Sequence, residues 1–244
     1  MNSAFAEEFS PNLPPVADLE NQITVYMEKL ARDIEDLALT PNFADGSSSL
    51  YRDANTLALI ALALGKSSEE SGMKAATPGL IAAAQQVARS QNNDEAKAAY
   101  QAVQDALKST GNTDDLKWEK VAHLSPVMKK SLPSLTTEIK RLSRNEKTFL
   151  RSSNSGKVIG LSATLVAIAA GCRPNVDETL APTEENLWNE YCSQLYEASM
   201  KLNQAAHAVV DGTAPFDDFT AAFKQVDATC NTTCHEKFGG ASAK

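Results

Sequence analysis

The sequence predicts an all-α protein built as two tandem four-helix bundles, and three observations predict it. Ala, Leu, Glu, Gln and Lys recur throughout, whereas runs of Val, Ile, Thr and aromatics at strand spacing are scarce; straight-chain residues and alanine lose little freedom in a helix. Apolar residues return at three- and four-residue steps, the period of one helix face. The order of amphipathic helix, loop, alanine-rich apolar helix and two further helices then occurs a second time along the 244 residues.

Residues 7–16, "EEFSPNLPPV", hold three prolines and read as an extended lead-in. The first helix is "VADLENQITVYMEKLARDIEDLAL", with Leu19, Ile23, Tyr26, Leu30, Ile34 and Leu37 on one face. "TPNFADGSSSLY" is a loop. "RDANTLALIALALG" is a second helix that stops at Gly65, and "GLIAAAQQVARS" after Pro78 is a third. "NDEAKAAYQAVQDALKS" opens on a capping Asn or Asp and ends before Gly111. The second half supplies "SLTTEIKRL" as a helix, "RNEKTFLRSSNSGK" as a basic loop and "VIGLSATLVAIAAG" as an apolar helix ending at Gly171. A long helix from Pro182 to Gly212 and a last one from Pro215 complete it. Aligning "AAYQAVQDALKS" with "AAFKQVDATCNT" pairs Tyr100 with Phe223 and Val103 with Val226, and sets Leu107 where Cys230 stands. The organisation is therefore a lead-in over 1–16, a first bundle over 17–112 and a second over 113–244. The boundary falls in "KSTGNTDDLKWEKVAHLSP", as a loop near Gly111 or a continuous helix around Trp118. A single eight-helix domain is the alternative organisation.

Charge and composition limit the function. Asp and Glu number 31 against 23 Lys and Arg, a net charge of -8, which disfavours phosphate backbones and argues against nucleic acid as a partner. No apolar run approaches the roughly 20 residues that span a bilayer. Ala4-Phe5-Ala6 has the A-x-A form that ends a signal peptide, so export is expected. Neither a Ser-His-Asp arrangement, a glycine-rich phosphate loop nor H-E-x-x-H is evident.

One constellation carries chemistry. Of four cysteines and three histidines, Cys230, Cys234 and His235 fall within six residues, in "ATCNTTCHEKFG". Thioether attachment of haem needs two thiols that reach the vinyl groups and an adjacent imidazole for the iron, usually as C-x-x-C-H. Here the gap is one residue longer, yet positions i and i+4 still share a helix face. A local disulfide, which a regular helix strains, a zinc site, which lacks further ligands at suitable spacing, and a chance grouping are the other readings of the spacing.

At this point the chain resembles the cytochrome c′ family of haem-binding four-helix bundles. The resemblance rests on "AAFKQVDATCNTTCHEKF" and on "PTEENLW" with the series Tyr191, Leu195, Ala198, Leu202 and Ala205. It covers about residues 125–240; the first half matches only as a degenerate, haemless repeat. The inserted residue in the motif departs from the family, and Gly239 stands where a basic residue is usual, with Lys237 nearby. The resemblance implies covalently attached haem c, with His235 as proximal iron ligand and Cys230 and Cys234 as anchors. It places Met128, Leu132 and Leu135 as candidates for the opposite face of the haem. A leucine there leaves the iron open to small gases such as nitric oxide or carbon monoxide; a methionine closes it for electron transfer. Phe223, Phe219 and Val226 share the helical face of Cys230 and are expected both to line the pocket and to form core.

The expected function is thus a periplasmic or otherwise exported bacterial monohaem cytochrome that transfers electrons, binds a diatomic gas, or both, and is not an enzyme. A redox partner protein is compatible with it, and the family's dimer through its first two helices makes monomer or dimer the expected state. One alternative is a cofactor-free helical interaction module with a redox-labile Cys230/Cys234 pair. Another is a haem peroxidase, for which His123 and Arg141 are the polar distal candidates. Cys172 and Cys192 are read as buried thiols, with a disulfide as the alternative. The basic stretch Lys140, Arg141, Arg144, Lys147, Arg151 and Lys157 is read as a solvated loop, with docking of an acidic partner as the alternative.

Overall fold

The computed structural model describes residues 11–39, 48–229 and 238, and among them every regular element is a helix. The first half comprises α1 (Val16–Leu39), α2 (Ser49–Lys66), α3 (Thr77–Arg89) and α4 (Asn93–Ala106). The second comprises α5 (Leu124–Pro126), a π-turn (Val127–Ser131), α6 (Leu132–Leu142), α7 (Glu146–Phe149), α8 (Ser152–Gly171), a 3₁₀ stretch (Arg173–Glu178), α9 (Glu185–Val210) and α10 (Phe216–Ala228).

Local chemistry sets the helix starts. Ser48 Oγ accepts the Tyr51 N–H at 3.1 Å and opens α2. Asn92 Oδ1 accepts the Glu95 N–H at 2.9 Å while Glu95 Oε1 accepts from Asn92 Nδ2 at 2.7 Å, a reciprocal arrangement that opens α4. Asn145 Oδ1 accepts the Thr148 N–H at 2.9 Å and turns the middle of the expected basic loop into α7. Helix α8 begins at Ser152, earlier than the apolar pattern indicates, because its first turn is polar and only Ser155 of it is buried.

Packing follows from two helices that are apolar on every side. In α2 the run Ala54–Gly65 is buried without a break, and in α8 so is Ser162–Gly171. Such helices occupy the centre of a fold, since a one-sided stripe would leave apolar surface in water. Helix α1 buries its six expected residues, Leu19 to Leu37. Helices α1, α2, α3 and α4 pack in sequence, and α4 returns onto α1. In the second half α6 packs on α8, α8 on α9 and α9 on α10, without a comparable return of α10 onto α6 among the described residues. The halves meet where α1 and α2 pack on α8 and the π-turn packs on α2, and one continuous core runs through both. At that seam Gly171 lies so close to α2 that a Cβ there would approach Leu59 Cδ2 to 2.6 Å.

The connection over 107–123 is a loop, not a continuous helix around Trp118. Side chains hold it as a strap. Lys66 Nζ donates to Leu116 O at 3.0 Å, Gln85 Nε2 to Val121 O at 3.1 Å, and Asn175 Nδ2 to Ala122 O at 2.7 Å. The His123 N–H donates to Asn55 Oδ1 at 2.7 Å and the Leu124 N–H to Glu178 Oε2 at 2.8 Å. These bonds satisfy backbone groups that a loop against the core would otherwise leave unpaired.

Candidate functional site

Cys230, Cys234 and His235 lie outside the described residues, and the residues on either side of them frame the site. Helix α10 closes with Thr229, whose hydroxyl donates to Gln225 O at 2.9 Å. On the far side Phe238 is buried, with its ring centroid 5.3 Å from that of Trp188 and 5.7 Å from that of Tyr191. Trp188 is buried in turn and donates its indole N–H to Arg173 O at 2.8 Å. This ties the first turn of α9 to the 3₁₀ stretch that follows α8. Cys172, at the end of α8, and Cys192, on α9, are both buried at this end of the second half.

The inward face of α10 is apolar, as its spacing predicts. Phe219 and Val226 are buried and Phe223 is half-buried against the core. Phe219 also belongs to an aromatic trio: its centroid lies 4.9 Å from Phe149 and 5.7 Å from Phe216. That trio fixes the start of α10 against α7.

The three distal candidates separate. Leu132 and Leu135 are buried and, with Ile139 and Leu142, form the single inward line of α6. Met128 is half-buried and off that line. The cause is the π-turn: the Leu132 N–H reaches back to Val127 O, so one extra residue enters the turn and the buried position passes from Met128 to Val127 and Ser131. Ser131 Oγ then pairs with Thr56 Oγ1 at 2.8 Å across the seam. Pro133, which interrupts the apolar pattern, sits in the first turn of α6, where a missing N–H costs little.

The polar candidates are engaged elsewhere. Arg141 grips Glu138 through two bonds of 2.7 and 2.5 Å on the surface of α6. His123 stacks near Tyr51, centroids 5.9 Å apart, with Nδ1 3.6 Å from Glu178 Oε1, and its side chain is mostly exposed. It lines a cavity of about 220 Å³ together with Asn55, Gln85, Arg89 and Lys120. Lys120 Nζ is held at 2.7 Å from both Asp177 Oδ2 and Glu178 Oε1. Among the described residues no group of three or more His, Cys, Asp or Glu side chains is placed to hold a metal ion.

Two polar clusters escape the sequence reading. At the α1–α8–α9 junction Asp18 Oδ2 faces His207 Nε2 at 2.8 Å and accepts from Asn203 Nδ2 at 3.1 Å, while Thr164 Oγ1 donates to Gln22 Oε1 at 3.0 Å. Gln22 fits only because position 160 is glycine; a Cβ there would lie 2.1 Å from its Nε2. The available signal is the i, i+4 spacing of Asp18 with Gln22 and of Asn203 with His207, each pair interrupting an apolar stripe.

The second cluster surrounds Tyr26. Its ring carries Lys29 Nζ at 3.9 Å from the centroid, and nearby Arg52 chelates buried Asp53 at 2.6 and 2.9 Å. Burial, and then the charge of Asp53, push the Tyr26 hydroxyl far above its ordinary pKa, while burial lowers that of Lys29. Above about pH 10 an unfolded tyrosine gives up its proton and the folded Tyr26 keeps it, so the folded state binds more protons and stability falls as pH rises. Tyr26→Phe removes this loss. The stability difference between wild type and variant is expected to move in favour of the variant by about 1.4 kcal/mol per pH unit above about pH 10, read by urea unfolding between pH 8 and 11. Lys29 is present in both proteins and cancels.

Comparison with protein-family models, with curated proteins and with solved structures finds no match for this chain.

Proposed function

We propose that the chain is an exported c-type monohaem protein of cytochrome c′ type, with haem held by the second of two tandem bundles through Cys230, Cys234 and His235. The observation that carries the proposal is the C-x-x-x-C-H cluster that follows α10 in the sequence, after a helix that turns Phe219, Phe223 and Val226 inward. The surroundings suit a flat apolar group. The inward lines of α6 and α10 are apolar, Trp188 and Tyr191 pack as an aromatic wall on Phe238, three positions past the motif in sequence, and α10 makes no packed return onto α6 among the described residues. When bound, haem would supply an iron centre for one-electron exchange or for coordination of a diatomic gas.

The chain's own residues divide the work. Cys230 and Cys234 would fix the group by thioethers, and His235 would offer a ring nitrogen to the iron. Leu132 and Leu135 hold the fully buried inward positions of α6, whereas Met128 is half-buried at the edge of the core, which supports binding of a small uncharged gas over closure by a methionine. The tandem form is supported by the reciprocal contacts of the halves. Helix α1 packs on α8 as the π-turn before α6 packs on α2, and α2 packs on α8. Exchanging the halves leaves that set unchanged, the mark of an isologous interface. The first half would then serve the second as a built-in dimer partner.

The test is production of the full chain alongside the haem-attachment machinery. A Soret band that survives acid–acetone extraction, with a mass raised by one haem, is the expected result. A colourless protein of unmodified mass would overturn the proposal in favour of a cofactor-free helical module with a redox-labile cysteine pair. Peroxide turnover above that of free haem would move it to a peroxidase.

A further inference from the structure

The stretch between Glu138 and Lys157 carries six basic residues against two acidic ones, on a chain whose net charge is -8. It folds as one end of the second half: the last turns of α6, all of α7 and the first turns of α8, with Asn154 Nδ2 donating to Thr148 O at 2.7 Å to close the corner. Arg141 is paired with Glu138. Lys140, Arg144, Lys147, Arg151 and Lys157 are exposed, and among the described residues none of the five forms an ion pair. At the tip, between Lys147 and Arg151, Leu150 is 49% exposed, one of the few large apolar side chains left in water. Ser152, Ser153 and Gly156 around it are small and exposed, so the corner presents cations and one leucine with little else to hold a surface away. On α10, Asp217 and Asp218 lie on the helix side away from Phe149, because Phe216 and Phe219 turn their own face of α10 to that ring.

We infer that this corner is a docking surface for an anionic lipid bilayer, reached by electrostatic attraction of the five free cations and anchored by Leu150. The charge is complementary to anionic headgroups, and each lysine or arginine near such a surface strengthens binding about fivefold. The shape selects a bilayer over an acidic protein. A leucine protruding from a cationic corner enters the soft headgroup layer directly, whereas a protein partner would have to supply a matching cavity. The excess negative charge on the remainder of the chain is repelled by the same surface and orients the molecule corner-first. The inference is independent of haem.

The experiment is co-sedimentation of the full chain with vesicles of phosphatidylcholine and phosphatidylglycerol at 3:1, against phosphatidylcholine alone, at low and at high salt. The expected result is binding to the anionic vesicles only, weakened by salt. The triple variant Arg144→Gln, Lys147→Gln, Arg151→Gln is expected to lower the partition roughly a hundredfold, and Leu150→Asp about tenfold. All four positions are exposed, and matched melting curves check that the fold is kept. No sedimentation above the phosphatidylcholine control, or equal binding by the triple variant, overturns the inference. So does binding that is indifferent to Leu150→Asp and abolished by soluble polyglutamate at equal charge, which would assign the corner to an acidic polypeptide instead.

Discussion

Changing Cys230 and Cys234 together to serine is expected to abolish covalent haem: the double variant, made with the attachment machinery, should show the unmodified polypeptide mass and no Soret band after acid–acetone extraction. Each single variant keeps one thiol and should retain at most one thioether, seen as a red-shifted reduced absorption band from the remaining vinyl group. His235→Ala leaves both thiols, so it separates attachment from ligation: mass gain should persist while the iron loses its protein imidazole. The lengthened gap makes the series more informative than it would be for C-x-x-C-H. If Cys230 is only a core residue like its counterpart Leu107, whose side chain packs against the core, then Cys230→Ser will leave the reduced absorption band of the attached protein unchanged. In that case only Cys234 and His235 form the motif. The position of the reduced absorption band of the purified chain, red-shifted while one vinyl group stays unsaturated, decides between one link and two.

The helical class was legible in the sequence because its signals are local. The stripe of α1 can be read from Leu19 to Leu37, and all six residues are buried. The continuous apolar runs of α2 and α8 mark central helices for the same reason. Signals that depend on tertiary contact were not legible. Val127–Ser131 reads as ordinary helix until Ser131 is seen bonded to Thr56 on α2, and that bond accompanies the extra residue which removes Met128 from the inward line. The 3₁₀ stretch Arg173–Glu178 has no periodicity of its own; Asn175 and Glu178 order it by bonding the strap between the halves. Asp18 and His207 lie 189 positions apart, and nothing short of the folded seam pairs them. The site divides in the same way. Residue types and spacing make Cys230, Cys234 and His235 conspicuous, and helical periodicity predicts Phe219, Phe223 and Val226 on the face of Cys230. The choice among Met128, Leu132 and Leu135 waits on a single inserted residue in a turn.

Trp188 is expected to be among the most damaging residues in the chain to replace. It is among the largest fully buried side chains, its indole N–H is spent on Arg173 O, and its ring meets Phe238 edge-on. Three segments therefore converge on it: the first turn of α9, the 3₁₀ stretch after α8 and the residue three places beyond His235. Trp188→Ala removes the transfer free energy of a large ring and leaves a cavity among neighbours that are fixed by the backbone, at a cost of about 3–5 kcal/mol. For a chain of this length that corresponds to a fall in Tm of roughly 10 °C. Trp188→Phe keeps most of the volume and loses the bond to Arg173, so about 1–2 kcal/mol is expected. Urea unfolding of both variants and wild type measures the two terms separately. A loss below 1 kcal/mol for Trp188→Ala would mean that the end of α8 and Phe238 are not held through this ring. The aromatic wall proposed beside the haem motif would then have no fixed support. Two separate costs in the expected ratio would instead identify Trp188 as the residue that turns the end of α8 into a rigid platform for the chain that follows α10.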